Sequence, residues 1–179
     1  MINLARKKAA NSNQTIEYKV QSMQRLSEHE KFDFILCNFV LGSSDSVESL
    51  RQNCRRIYDA LKPLGRCCGH LSFAGSMERD KNEVWKKLGM TYHFKQWPAA
   101  DGDVGVLGFW GHKGKFLSEV RTTKYSQATY SATLMEAGFK SVKFHIPEPT
   151  TEGLRQIDQN IWTEALLNPT LIACFEVMK

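Results

Sequence analysis

The stretch Phe32-Asp33-Phe34-Ile35-Leu36-Cys37-Asn38-Phe39-Val40-Leu41 is nearly continuous in apolar residues. That pattern predicts a central parallel strand covered on both faces, because a half-exposed strand alternates apolar with polar residues. Behind it, Ser43-Ser44-Asp45-Ser46 offers a cluster of helix N-caps, whose side-chain oxygens can accept from the first free backbone N–H groups. Val47, Leu50, Cys54, Ile57 and Leu61 then recur at helical spacing and form one apolar stripe. Lys62-Pro63-Leu64-Gly65 ends that helix, since proline cannot continue it and glycine tolerates the turn. Arg66-Cys67-Cys68-Gly69-His70-Leu71-Ser72-Phe73 supplies the next strand. Strand, helix and strand at this spacing make a βαβ unit with a right-handed crossover and parallel pairing.

The remainder of the chain sorts around this unit. Residues 1–10 read as a helix end, and Ile16-Glu17-Tyr18-Lys19-Val20 alternates as a short half-buried strand does. Residues 76–128 break the rhythm and hold three of the four tryptophans, Trp85, Trp97 and Trp110. They predict a short helix and strands around Thr91–Trp97, Val104–Trp110 and Phe116–Tyr125, an antiparallel flap inserted into the domain. Alternation then resumes with a helix over Thr129–Ala137 stopped by Gly138, a strand over Lys140–Ile146, a helix over Thr151–Leu167 and a last strand over Leu171–Val177. The class is α/β, and 179 residues make a single domain.

Composition narrows what such a domain can be. Apolar residues are 42% and charged residues 24%, a globular balance that argues against wholesale disorder. No segment approaches the roughly 18 uninterrupted apolar residues of a membrane span, so no membrane partner is expected. The opening Met1-Ile2-Asn3-Leu4-Ala5-Arg6-Lys7-Lys8 has no secretory pattern. The five cysteines, Cys37, Cys54, Cys67, Cys68 and Cys174, show no C-x-x-C spacing. They read as reduced thiols packed inside an intracellular, cytoplasmic protein. No histidine pairs with a cysteine at ligand spacing, so no metal is expected. The net charge of +5 raises nucleic acid as a partner, but the basic residues are spread along the chain. The one basic run, Arg6-Lys7-Lys8, fits a solvated helix face better than a phosphate track, and an RNA-binding role is only a third reading.

Several of these segments together resemble the class I S-adenosylmethionine-dependent methyltransferases, of the type 11-like, small-molecule kind. The apolar run, the capped helix and Leu61-Lys62-Pro63-Leu64-Gly65-Arg66 resemble the family's fourth strand, fourth helix and fifth strand, where the turn is usually L-K-P-G-G-R. Glu136-Ala137-Gly138-Phe139 is similar to the A-G-F that precedes the sixth strand, and Phe175-Glu176-Val177-Met178-Lys179 to the closing antiparallel strand. Met1 through Ala9 resembles the M-L-x-x-A-R-x-x-A helix that follows the second strand. The resemblance implies a Rossmann-like sheet of order 3-2-1-4-5-7-6, N-terminally incomplete, with a C-terminal antiparallel strand pair. It also implies S-adenosylmethionine as cofactor and a small-molecule methyl acceptor.

The same resemblance places the family's glycine-rich cofactor turn and ribose-binding carboxylate before Met1. It puts Met1, Ser22 and Met23 beside the adenine, with Ser22 where the family carries an acidic residue. Cys37 and Asn38 fall beside the methionyl part and the methyl group. Asn38 and His70, at the carboxyl ends of neighbouring strands, are the candidate catalytic residues, Asn38 to orient the acceptor and His70 to serve as base. A packed, hydrogen-bonded structural role is the competing reading of each. Leu41, Trp97, Trp110 and His112 are the candidate acceptor-binding residues, with the aromatic flap as a lid. Without the cofactor turn, the apolar strand is expected to keep an open edge or to gain Ile16–Val20 beside it. An open edge invites self-association. The chain by itself is expected to bind the cofactor weakly or not at all and to be inactive. A non-catalytic remnant that binds or regulates a partner is the alternative.

Overall fold

A computed structural model describes residues 2–12, 14–72, 82–111, 114–148, 150–156 and 172–179. The first half contains α1 (Ile2–Asn11), β1 (Phe32–Asn38), α2 (Val47–Ala60) and β2 (Leu61–Ser72). The inserted part contains α3 (Asn82–Lys87), β3 (Met90–Phe94), β4 (Val104–Trp110) and β5 (Phe116–Thr123). After it come α4 (Gln127–Glu136), β6 (Ser141–His145), α5 (Thr151–Gln156) and β7 (Ile172–Met178).

One sheet runs β1-β2-β7-β6, with β1 and β2 parallel and β7 antiparallel to both of its neighbours. This is the 4-5-7-6 half of the expected order, closed by the expected antiparallel pair. The second sheet is the flap, β3-β4-β5, antiparallel throughout. The predicted helical stripe is buried as drawn, with Leu50, Cys54, Ile57 and Leu61 all fully inaccessible. Ser46 is the N-cap of α2, and its hydroxyl accepts from the Ser49 N–H at 3.1 Å. The stripe packs with Tyr130, Leu134 and Phe139 from the α4 region and with Cys67, Leu71, Phe175 and Val177 of the sheet into the main core.

Three expectations are corrected. The strand from Phe32 stops at Asn38, because Phe39 adopts a left-handed φ of 57° that takes the chain out of the sheet. Nor is β1 covered on both faces. Its α2 side holds Ile35 and Cys37, whereas Phe34 and Leu36 are 55% and 62% exposed, and β1 ends the sheet among the described residues. Ile16–Val20 is not a strand and Val20 is 86% exposed, since nothing described pairs with it. The predicted helix over Thr151–Leu167 is seen as Thr151–Gln156, and the rest of that span lies outside the described residues.

Lys62–Gly65 was expected as a plain turn and instead forms a bulge at the start of β2. The register jumps from Phe32↔Leu61 to Phe34↔Arg66, and Lys62 Nζ donates to both Asp33 carboxylate oxygens at 2.9 Å. Leu64, which stands where the family turn carries a glycine, has φ 66°. A side chain there costs about 1–2 kcal/mol, which gives a physical reason for glycine in the usual turn.

The tightest contact in the sheet is between Gly69 and Cys37. A Cβ on Gly69 would lie 1.8 Å from the Cys37 carbonyl oxygen, and backbone cannot yield as a flexible side chain does. Gly69→Ala is therefore expected to pry β1 from β2 and cost about 3 kcal/mol or more, measured as a shift in urea midpoint.

Candidate active site

The parallel register that Gly69 permits places Asn38 opposite His70. Asn38 Oδ1 and His70 Nδ1 are 2.8 Å apart. With the amide oxygen as acceptor, Nδ1 carries the hydrogen and Nε2 keeps its lone pair, the form a base requires. The next residue, Phe39, donates its backbone N–H to the His70 carbonyl at 2.9 Å. Its ring stacks on the imidazole, with centroids 5.6 Å apart and planes inclined by 18°. Thus the two predicted catalytic residues do meet, and an aromatic ring fixes the imidazole plane.

Between this strand end and the flap lies a cavity of about 490 Å³. The sheet side contributes Phe39, Gly42, Ser43 and Ser72. The flap side contributes Met90, Tyr92, Leu107, Phe109, Val120 and Thr122, with Arg121 at the edge strand. Ser72 Oγ and the Tyr92 hydroxyl are hydrogen-bonded at 2.8 Å across the seam. Burial pushes the Tyr92 phenol up, and the Ser72 hydroxyl offsets only part of that, so Tyr92 is neutral near pH 7.

The predicted acceptor residues are placed otherwise. Leu41 is fully buried in the main core. Trp97 meets Phe94 edge to face at 5.5 Å and packs with Trp85 and Tyr92 in the flap's own small core. Trp110 donates to Thr91 Oγ1 at 2.9 Å, meets Phe116 at 5.3 Å and lies under Lys86 Nζ at 4.2 Å. None of the three lines the cavity, so the flap tryptophans hold the lid together and leave its inner face to other residues. His112 lies outside the described residues. From the sequence, Ser72 and the flap aromatics Tyr92 and Phe109 are candidates for this crevice, whereas Leu107 and the Ser72–Tyr92 bond are not foreseen, although strand alternation through Trp110 sets Leu107 beside Phe109 on the opposite side.

Of the predicted cofactor residues, Met1 lies outside the described residues and Ser22 is exposed. Met23 packs against the main core. Cys37 is 2% exposed, and burial pushes its thiol up to about 11. Only Asn38 stands at an accessible strand end. These side chains form at most one wall for S-adenosylmethionine, and no glycine-rich turn accompanies them in the sequence. They do not fit the whole cofactor.

The flap is held to the main layer by part-buried and buried polar contacts. Asp101 accepts from the Ser126 N–H at 2.9 Å, the Ser126 hydroxyl at 2.6 Å and the Thr129 hydroxyl, and pairs with Lys124 at 2.5 Å. Tyr125 donates to the Ser44 carbonyl at 2.8 Å, next to the turn that borders the cavity. Both anchors fix the distance between the layers.

A protein-family model described as a methyltransferase domain matches residues 1–69. No curated protein matches the sequence. Among solved structures, the CcbJ methyltransferase of Streptomyces caelestis is similar at 15% identity and TM-score 0.62, over 99% of this chain and 74% of its own. An S-adenosylmethionine-dependent methyltransferase of Mesorhizobium loti matches at 16% identity and TM-score 0.60, over 98% and 75%. This chain has the class I methyltransferase fold. A third structure, from Bordetella parapertussis and described as a possible exported protein, matches at 15% identity and TM-score 0.57 over 99% of this chain. The chain spans 49% of that protein's length. Within the methyltransferase fold, the Asn38–His70 pair and the cavity lie beyond the carboxyl ends of adjacent parallel strands, where doubly wound sheets bind ligands. Among the described residues no helix is long and apolar enough to cross a membrane.

The Asp101 anchor yields a test. Burial pushes its carboxyl up, but Lys124 and the Ser126 and Thr129 hydroxyls together outweigh that and hold it below the usual value. A depressed carboxyl stabilises the fold above the ordinary aspartate range and loses that contribution as pH falls through it. Asp101→Asn is expected to cost about 2 kcal/mol at pH 7. Thermal melts should show the gap to the unmodified protein closing below about pH 4.

Proposed function

We propose that this chain serves S-adenosylmethionine-dependent methyl transfer to a small-molecule acceptor and supplies the acceptor side of that reaction. The observation that carries the reading is the Asn38–His70 pair beside an apolar cavity in this fold, with Phe39 both stacked on the imidazole and lining that cavity. The methyl of a sulfonium donor is already activated, so the protein's work is to align the acceptor atom and exclude water. The apolar walls of the cavity serve the second. For an acceptor that starts as a hydroxyl, His70 Nε2 takes the proton, Asn38 Oδ1 holds Nδ1–H and so steadies the resulting imidazolium, and Phe39 fixes the ring plane. In that step the acceptor's O–H bond breaks, the proton goes to Nε2 and the electron pair stays on the oxygen as its nucleophilic lone pair.

Joined to a glycine-rich cofactor segment, the chain is expected to lose methyl transfer by about 10²–10³-fold in His70→Gln. Cofactor affinity should stay within about twofold, read by calorimetry. Equal loss of both would overturn the base assignment in favour of a structural histidine.

Taken by itself, the chain is expected to bind S-adenosylmethionine or its demethylated product no tighter than about millimolar. Three or four absent hydrogen bonds at roughly 1–2 kcal/mol each remove most of the roughly 8 kcal/mol of a micromolar site. Titration calorimetry tests this, and a low micromolar constant would refute it.

A further inference from the structure

We infer that the cavity accepts an uncharged, predominantly apolar acceptor that presents a hydroxyl to Ser72; this rests on reading the cavity as the acceptor site. Strand alternation sorts the flap into two unlike faces. Met90↔Phe109, Tyr92↔Leu107 and Leu107↔Val120 are paired across the three strands, and Phe94↔Gly105↔Thr122 continues the same side. Of these, Met90, Tyr92, Leu107, Phe109, Val120 and Thr122 line the cavity. The ionisable residues of these strands alternate with them. His93, Glu119 and Arg121 share the other face, where they border a separate shallow groove. Arg121 touches the cavity at the sheet edge, but its position in the alternation directs its side chain to the side of Glu119.

Among the described residues no carboxylate lines the cavity, and Arg121, the one charged residue that does, stands in the alternation on the other face of the flap. A carboxylate would therefore give up its hydration against walls that are mostly apolar, which weakens its binding relative to a neutral ligand of the same shape. A neutral aromatic body meets Phe39, Leu107 and Phe109 instead. Among the hydroxyls that line the cavity, those of Ser43, Ser72, Tyr92 and Thr122, the one at Ser72 sits on the seam between the sheet and the flap. Ser72 Oγ can donate once and accept twice, and its bond to Tyr92 leaves capacity for one ligand hydroxyl. The partner phenol, Tyr92, is 1% exposed, so it fixes the Ser72 rotamer from within the flap.

Calorimetry of the full chain with phenol and 2-naphthol, against benzoate and 2-naphthoate, tests this at pH 7 without any cofactor. The neutral member of each pair is expected to bind at least about tenfold more tightly. Naphthalene should lose about threefold or more relative to 2-naphthol, and Ser72→Ala should erase that difference while leaving naphthalene binding unchanged. Leu107→Trp, which fills the cavity, should abolish all binding. Equal or tighter binding of the carboxylates would overturn the inference and leave the acceptor cavity standing. Absence of binding by every probe would overturn both. Methyl transfer is not part of the readout, so an inactive His70 variant bears on neither outcome.

Discussion

The close approach of β1 and β2 is the contact on which the site depends. Two parallel strands can exchange hydrogen bonds only at backbone distance, and the Cys37 carbonyl occupies the space a side chain at position 69 would need. With Gly69 there, the register runs unbroken to Asn38 and His70. Their side chains fall within hydrogen-bond reach for that reason alone. Phe39 then leaves the sheet in the left-handed region, which brings its ring onto the imidazole and lets Leu41 drop into the core. A strained residue at a strand end is thus part of how the site is aimed.

The cavity exists because two layers are tethered at one side and not packed throughout. Asp101, Ser126 and Thr129 tie the β3–β4 connection to the start of α4, and Tyr125 ties the end of β5 to Ser44. Charge-assisted bonds of this kind contribute about 1.5–3 kcal/mol each when shielded from water. Trp97 and Trp110 rigidify the lid from within, so their bulk sets its shape without contacting what lies beneath.

Accessible and inert groups are separated by burial. Cys37, Cys54 and Cys67 sit in the core, where burial pushes Cys37 to about 11 and Cys54 to about 12 and raises Cys67 as well. Such thiols stay protonated and pack as small apolar groups. His70, one strand position from the Cys37–Gly69 contact, is accessible and ordered by two neighbours. The alternation of β2 makes the distinction, since Cys67, Gly69 and Leu71 face the core while His70 and Ser72 face the other side.

The sequence by itself determined the βαβ unit, the cap at Ser46, the buried stripe of α2 and the sheet positions of the last two strands. Those features are local or periodic, and 3.6-residue and two-residue repeats can be read without knowing what lies opposite. It also singled out Asn38 and His70, because both end apolar strands. It misjudged the coverage of Phe34 and Leu36, since an apolar run records what a strand can tolerate and not whether a second layer is there. It picked Trp97 and Trp110 by residue type, whereas position in the alternation decides which flap side chains line the cavity. Tertiary structure alone decided which flap face turns inward, that Ser72 meets Tyr92 across the seam, and that Asn38 bonds His70. Each of these joins residues from 20 to 32 positions apart, and such a meeting depends on strand register and layer spacing, which no local pattern encodes.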